Sequence, residues 1–226
     1  MEDTLKTTDS TTDSTPDSTP DSTPFSTLDI IRNKALEELT GIMDKWCESY
    51  SSNYTGGKMR GDRGADIEVF VRNTINTIAV EVSKKLVAVK GSSDKKELKL
   101  MIGEKEIKKD HQVDIHIYLD GKFIAVIECK AYLDSCYYVR ACDDFSLFKK
   151  FGYDVKKYIF TLENSIDEDT KVFTDHVTEN VCDNIFCLLD GKRTSAKPVY
   201  DSKFRKPINI QKLYEFIDYM FQLCDA

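Results

Sequence analysis

From Phe25 onward, apolar residues fall at helical spacing. Leu28, Ile31, Leu36, Leu39, Ile42, Met43 and Trp46 share one face, which predicts an amphipathic helix over 26–49. The stretch 51–64 breaks this pattern. It holds Gly56, Gly57, Gly61 and Gly64 with Lys58, Arg60 and Arg63, and reads as a basic, flexible loop. A second helix is predicted over 65–85, with Ile67, Phe70, Val71, Ile75, Ile78 and Val82 as its buried stripe and Glu68 near the stripe's edge in the first turn. Strands are predicted over 86–90 and 98–102, joined by a polar turn at 91–96. The strongest strand patterns cover 112–119 and 122–131, separated by Asp120-Gly121. A helix over 139–151, strands over 156–162 and 184–189, and a closing amphipathic helix over 210–223 complete the pattern. Helices and strands are mixed along the chain, so the expected class is α/β or α+β, a sheet flanked by helices.

The first 24 residues lack this patterning. Asp9-Ser10-Thr11-Thr12 is followed by three Asp-Ser-Thr-Pro units ending at Pro16, Pro20 and Pro24. Almost nothing there is apolar, so burial would not offset the entropy of ordering. The expected organisation is a disordered tail over 1–24 and a single domain over 25–226. The tail also carries much of the charge. The whole chain has 226 residues and a formal net charge of −7, and residues 1–29 hold seven acids against Lys6 alone. The remainder is near neutral. That excludes a wholly basic binding module but not a nucleic-acid partner.

Seven cysteines, at 47, 129, 136, 142, 182, 187 and 224, show no C-x-x-C pair. Their odd number argues against a disulfide scaffold or structural zinc site and for reduced thiols in an intracellular, cytoplasmic setting, or a host cell's cytoplasm for a viral protein. Apolar runs such as 123–127 are far too short to span a membrane, and the polar, acidic N-terminus resembles no secretory signal. The Asn53-Tyr54-Thr55 sequon is therefore read as chance.

Chemistry concentrates in the two central strands. Successive strand residues face opposite sides, so Val113, Ile115, Ile117 and Leu119 form one set, and Asp114, His116 and Tyr118 the other. In the next strand Phe123, Ala125, Ile127 and Cys129 alternate with Ile124, Val126, Glu128 and Lys130. A two-residue Asp-Gly turn would set Asp114 beside Ile127. A three-residue loop with Gly121 in the left-handed conformation keeps the apolar sets together and brings Asp114, Glu128 and Lys130 onto one face. A one-residue slip moves a whole apolar set, so the three-residue loop is expected. Two carboxylates and an amine then meet. Hard oxygen ligands suit Mg²⁺, which commonly uses one or two carboxylates with water and substrate phosphate. The alternative is a solvated cross-strand ion pair, which Glu-x-Lys alone would also satisfy.

Asp114, thirteen intervening residues, and then Glu128-Cys129-Lys130 resemble the motif of the PD-(D/E)xK nuclease superfamily. Val113 stands where the motif's name has Pro, a residue often absent there. Arg63-Gly64-Ala65-Asp66-Ile67-Glu68 resembles the superfamily's preceding helical element that supplies a Glu. The similarity covers about residues 62–162, and size and layout are most like a type II restriction endonuclease. The resemblance implies a restriction-endonuclease-like mixed central sheet and a Mg²⁺-dependent cut in double-stranded DNA, with Mn²⁺ substituting. It also implies a homodimer, since two strands need two sites. Asp114 and Glu128 would hold the metal, with the Cys129 backbone carbonyl as a further ligand. Lys130 would orient the water, and Glu68 would bind a second metal or a metal water. Glu68 is equally well read as a helix-start acid favoured by the dipole, and Cys129 as packing.

Two basic patches are candidate phosphate or base contacts: Lys58, Arg60 and Arg63, and then Lys192, Arg193, Lys197, Lys203, Arg205 and Lys206 in a loop-like stretch with Pro198 and Pro207. Each is equally readable as solvated surface. Lys105, Lys108 and Lys109 form a weaker third. His116 is a possible phosphate contact or simply a polar sheet residue. His111, His116 and His176 are too dispersed for an HNH site, and no H-E-x-x-H, Walker lysine loop or G-x-S-x-G occurs. Besides a site-specific endonuclease, a repair or junction nuclease and a non-catalytic DNA-binding protein with a nuclease-like hairpin remain open.

Overall fold

A computed structural model describes residues 26–50, 56–82, 85–194 and 197–225. The repeat tail predicted over 1–24 lies outside them. Helices α1 (Thr27–Tyr50) and α2 (Gly56–Glu81) lead into strand β1 (Leu86–Lys90), a single 3₁₀ turn (Gly91–Ser93), and strands β2 (Lys96–Ile102), β3 (Lys105–His111), β4 (Ile115–Leu119) and β5 (Lys122–Asp134). Helix α3 (Ser135–Lys150), β6 (Lys156–Ser165), α4 (Glu168–Val177), β7 (Asn184–Cys187) and α5 (Ile210–Gln222) follow.

The central sheet has the order β1-β4-β5-β6-β7. Pairing is antiparallel from β1 to β5 and parallel from β5 to β7, which makes the sheet mixed. Helices cover both faces. On one face Ile115, Ile117, Ala125, Ile127 and Phe160 pack with the stripes of α1, α2 and α5; on the other, Val126 and Ile159 pack with Tyr138, Phe145 and Phe148 of α3. A sheet flanked by helices is the architecture the patterning predicts, and a mixed sheet is what the resemblance to the restriction-endonuclease-like fold implies.

Local chemistry explains the helix starts. Ser26 and Asp29 bond reciprocally across the first turn of α1. The side chains of Asp134, Asp167 and Asn209 accept bonds from Tyr137, Thr170 and Lys212 N–H groups at the starts of α3, α4 and α5. Lys149 and Lys150 close α3, where cations favour the helix dipole.

Four expectations need correction. Helix α2 begins at Gly56 rather than at 65, so Lys58, Arg60 and Arg63 stand on a helix and not in a flexible loop. Strands β1 and β2 do not pair. β1 joins the central sheet, whereas β2 pairs with β3, a strand whose charged sequence conceals it. Helix α4 is an element the patterning does not predict. The hairpin turn is the two-residue form, with Leu119 opposite Lys122 and positive φ at both Asp120 (50°) and Gly121 (78°).

The last correction leaves the functional register unchanged. A β-bulge inserts Ile124, so Tyr118 pairs with Phe123 but Ile117 pairs with Ala125 and Ile115 with Ile127. Burial of the apolar set decides the register, and the bulge, not a longer loop, supplies the one-residue shift.

Candidate active site

Asp114 sits in the bend immediately before β4, and Glu128, Cys129 and Lys130 are consecutive in β5. The Cys129 N–H donates to Asp114 Oδ2 at 2.8 Å, and the Asp114 N–H donates to Glu128 Oε2 at 3.4 Å. Lys130 Nζ is held by Glu128 Oε1, by the Cys129 carbonyl at 3.2 Å and by Asp114 Oδ2 at 3.4 Å. Two carboxylates and one carbonyl thus converge on a single cation. These are the three oxygen donors expected for a divalent metal, and here the ammonium occupies their meeting point. The donor set is hard and anionic, as Mg²⁺ requires. Among the described residues no group of three His, Cys, Asp or Glu side chains gathers to hold a metal; the third oxygen around Lys130 is the Cys129 backbone carbonyl.

Electrostatics reinforce this fit. Burial, and then the charge of Asp114, push the Glu128 carboxyl up, with Lys130 opposing. Burial alone would depress Lys130, but Glu128 and Asp114 outweigh it and hold its ammonium above the usual range. In the structure Lys130 is the counter-cation that these two carboxylates share. The Cys129 thiol is buried and pushed well up by desolvation, so it packs as a thiol while its carbonyl faces the site.

Glu68 lines the same pocket of about 460 Å³ with Asp114, Lys130, Tyr132 and Tyr137. It lies well inside α2 rather than in a first turn, so the helix-dipole explanation for an acid there no longer applies. Lys90 Nζ at 3.6 Å and Arg72 Nη1 at 3.9 Å hold its carboxylate.

Gly91 supports Asp114 from behind. Its N–H donates to the Asp114 carbonyl at 2.9 Å, and a Cβ built on it would stand 1.7 Å from the Val113 carbonyl oxygen. Only glycine permits that approach. Gly91→Ala is expected to cost about 1–3 kcal/mol, the range for forced overpacking, and to displace Asp114. Urea unfolding and single-turnover cleavage would both register it.

No protein-family model matches the chain. The type II restriction enzyme DdeI of Desulfomicrobium norvegicum is 31% identical over 121 residues, covering 48% of this chain and 50% of that enzyme. The chain thus matches about half the length of this curated relative. Among solved structures, protein VC1899 from Vibrio cholerae aligns over 88% of this chain and 55% of its own, at 9% identity and TM-score 0.45. A low-resolution structure of the native BbvCI A2B2 tetramer aligns over 86% of this chain and 91% of its own, at 10% identity and TM-score 0.39.

The basic patches fare differently. Arg63 is only 7% exposed, its guanidinium 3.4 Å from the centre of the Tyr200 ring, so it braces α2 and is not a free phosphate contact. The side chains of Lys58 and Arg60 lie outside the described residues. In the second patch Arg205 pairs with Asp44, and Lys206 Nζ bonds Glu163 Oε1 at 2.7 Å and the Lys192 carbonyl at 3.0 Å. Lys197 and Lys203 stay exposed, as does Lys192. Arg193 stacks over Tyr132 at 3.6 Å, beside the pocket. Because Glu163 is buried, Lys206→Ala is expected to lower stability by about 1–3 kcal/mol, the cost of an unsatisfied buried polar group. Urea denaturation measures this; an unchanged midpoint would return Lys206 to the surface set.

His116 is fully buried and bonds Asp94 Oδ2 through Nδ1 at 3.0 Å, so it does not touch phosphate. Tyr132, Tyr137 and Asp144 escaped sequence reasoning. Tyr132 was findable, two residues beyond Lys130 on the same strand. Asp144 had no such signal: its place on α3, near enough that Lys130 and Glu128 feel its charge, depends on how the helix packs.

Proposed function

We propose that the chain is a Mg²⁺-dependent endonuclease that hydrolyses phosphodiester bonds of double-stranded DNA at a short specific site, as a type II restriction enzyme does. The observation that carries the reading is the convergence of Asp114, Glu128 and the Cys129 carbonyl on the Lys130 ammonium. The similarity to a type II restriction enzyme over half the chain supports it. In this reading Asp114, Glu128 and the Cys129 carbonyl would hold Mg²⁺, for which Mn²⁺ would substitute, and Glu68 would bind a second ion or its water. A metal bound there would supply positive charge at the scissile phosphate and lower the pKa of a bound water.

The chain's own groups do the rest. Lys130, released from the oxygens, orients the attacking water and stabilises developing negative charge. Glu68, steadied by Lys90 and Arg72, borders the pocket from the α2 side. Arg193, with Lys192, Lys197 and Lys203, offers positive charge to the DNA backbone. Cleaving both strands calls for two sites, hence a homodimer. Seven described cysteines are free thiols, which suits action in a reducing cytoplasm. Among described residues no helix is long and apolar enough to cross a membrane.

The test is supercoiled plasmid incubated with protein and Mg²⁺, with EDTA as control. Discrete bands are expected. A smear would replace site-specific cutting by nonspecific cleavage, and intact plasmid would overturn the nuclease reading in favour of DNA binding without catalysis.

A further inference from the structure

The β2–β3 ribbon is exposed along nearly its whole length. Its strands are seven residues each, and between them only Leu98 and His111 are buried. Two strands at roughly 3.3 Å per residue make an arm of about 20 Å. A two-stranded ribbon without a covered face is marginal in water, so this one is shaped to be covered by something else.

Its two faces differ. Residues opposite each other in an antiparallel pair share a face. Lys96 with His111, Leu98 with Lys109, Leu100 with Ile107 and Ile102 with Lys105 form one face. That face contains no acid. Glu97 with Asp110, Lys99 with Lys108 and Met101 with Glu106 form the other. There the charges neutralise one another: Lys99 pairs with Glu97 at 3.2 Å, and Lys108 reaches Glu97 at 3.5 Å and Glu106 at 3.9 Å.

The acid-free face is also the one that seals the ribbon's root to the body. Leu98 is 4% exposed, His111 bonds the Asp144 carbonyl at 2.9 Å, and Lys96 lies over the Tyr118 and Phe123 rings. Farther out the same face overhangs. Leu100, Ile102 and Ile107 are 45%, 58% and 40% exposed, between the exposed Lys105 and Lys109. The root is tied to the candidate site. His111 lies just ahead of Asp114 in the chain, and the Gly91 turn that leads into β2 holds the Asp114 carbonyl.

We infer that the ribbon is an arm that lies along a groove of duplex DNA. Lys105 and Lys109 meet phosphates, and Leu100, Ile102 and Ile107 meet base edges. Charge complementarity selects this occupant: a polyanion suits a face with lysines and no acids. A groove admits a two-stranded ribbon, and apolar side chains there contact thymine methyl groups. The inference rests on the nuclease reading for the identity of the DNA as substrate. It adds a DNA-binding surface to that reading and assigns opposite roles to adjacent lysines, since Lys109 engages DNA and Lys108 does not.

The experiment measures binding of a mixed-sequence 30-base-pair duplex (about three helical turns) in EDTA across a salt series, beside plasmid cleavage in Mg²⁺. Lys105→Gln with Lys109→Gln is expected to weaken binding by about tenfold or more near 0.1 M salt and to lower the salt slope by roughly two, one for each phosphate left without its lysine. Lys99→Gln with Lys108→Gln is expected to change neither. All four side chains are on the surface, so folding, followed by circular dichroism, should hold. Equal effects of the two pairs, or no effect of the first, would overturn the arm. Leu100→Ser with Ile107→Ser should weaken binding at unchanged salt slope and unchanged sedimentation. Conversion of a dimer to monomers by that pair, with the lysines silent, would instead make the ribbon an interface between copies and overturn the proposal. A protein that cuts plasmid but ignores Lys105 and Lys109 loses the arm alone. One that binds duplex through them without cutting loses the nuclease reading alone, and one that does neither loses both.

Discussion

Lys130→Ala is expected to reduce single-turnover DNA cleavage by roughly 10²–10⁴-fold, the range for loss of one positioned catalytic group. Binding of the same duplex should persist, because Lys192, Arg193, Lys197 and Lys203 are untouched. The fold should also persist, since Lys130 faces the pocket and the core forms without it. A second effect follows from the geometry. In the free protein the ammonium sits where Asp114, Glu128 and the Cys129 carbonyl converge, so it competes with any metal for them. Removing it should increase the rise in melting temperature that Mg²⁺ produces, because a ligand stabilises the state it binds. A well-folded variant that cleaves at the wild-type rate would falsify the role assigned to this hairpin.

Asp114→Ala is expected to abolish cleavage within detection, and added Mg²⁺ or Mn²⁺ should not restore it. Asp114 has two jobs in the structure. It accepts the Cys129 N–H at 2.8 Å, which fixes the β5 backbone at the residue whose carbonyl meets Lys130, and it balances Lys130 at 3.4 Å. On the proposed metal reading, its loss removes one ligand and loosens another. The melting response to Mg²⁺ should shrink in this variant, opposite in sign to that of Lys130→Ala. An exposed ion pair would behave otherwise, costing about 0–1 kcal/mol of stability with no change in rate. The pair of variants thus separates a metal site from an ordinary cross-strand pair, with calorimetry and single-turnover cleavage as the two readouts.

Much of the candidate site was legible because strand alternation is a local property. The apolar residues of β4 and β5 had to share a face, and that requirement alone placed Asp114 against Glu128 despite a wrong choice of turn. Glu68 was legible as a residue but not as a position. Its first-turn placement failed because the glycines at 56, 57, 61 and 64 suggested a loop, whereas α2 runs through them. Glycine costs a helix about 1 kcal/mol per residue. Packing of Ile67, Phe70 and Val71 into the core outweighs that local preference.

The sequence by itself determined the stripes of α1 and α5, the paired central strands and the meeting of two carboxylates with a lysine. All of these follow from periods of 2 or 3.6 residues read within one segment. The tertiary structure alone decided the Ile124 bulge, the burial of Arg63 against Tyr200 and the burial of His116 against Asp94. It also paired Lys206 with Glu163 and β2 with β3. Each of these joins segments that no local period relates, and in each the partner's burial sets what a charge does. A lysine or arginine in the sequence carries the same charge wherever it falls; whether it meets DNA or braces a core depends on which residue the fold brings beside it.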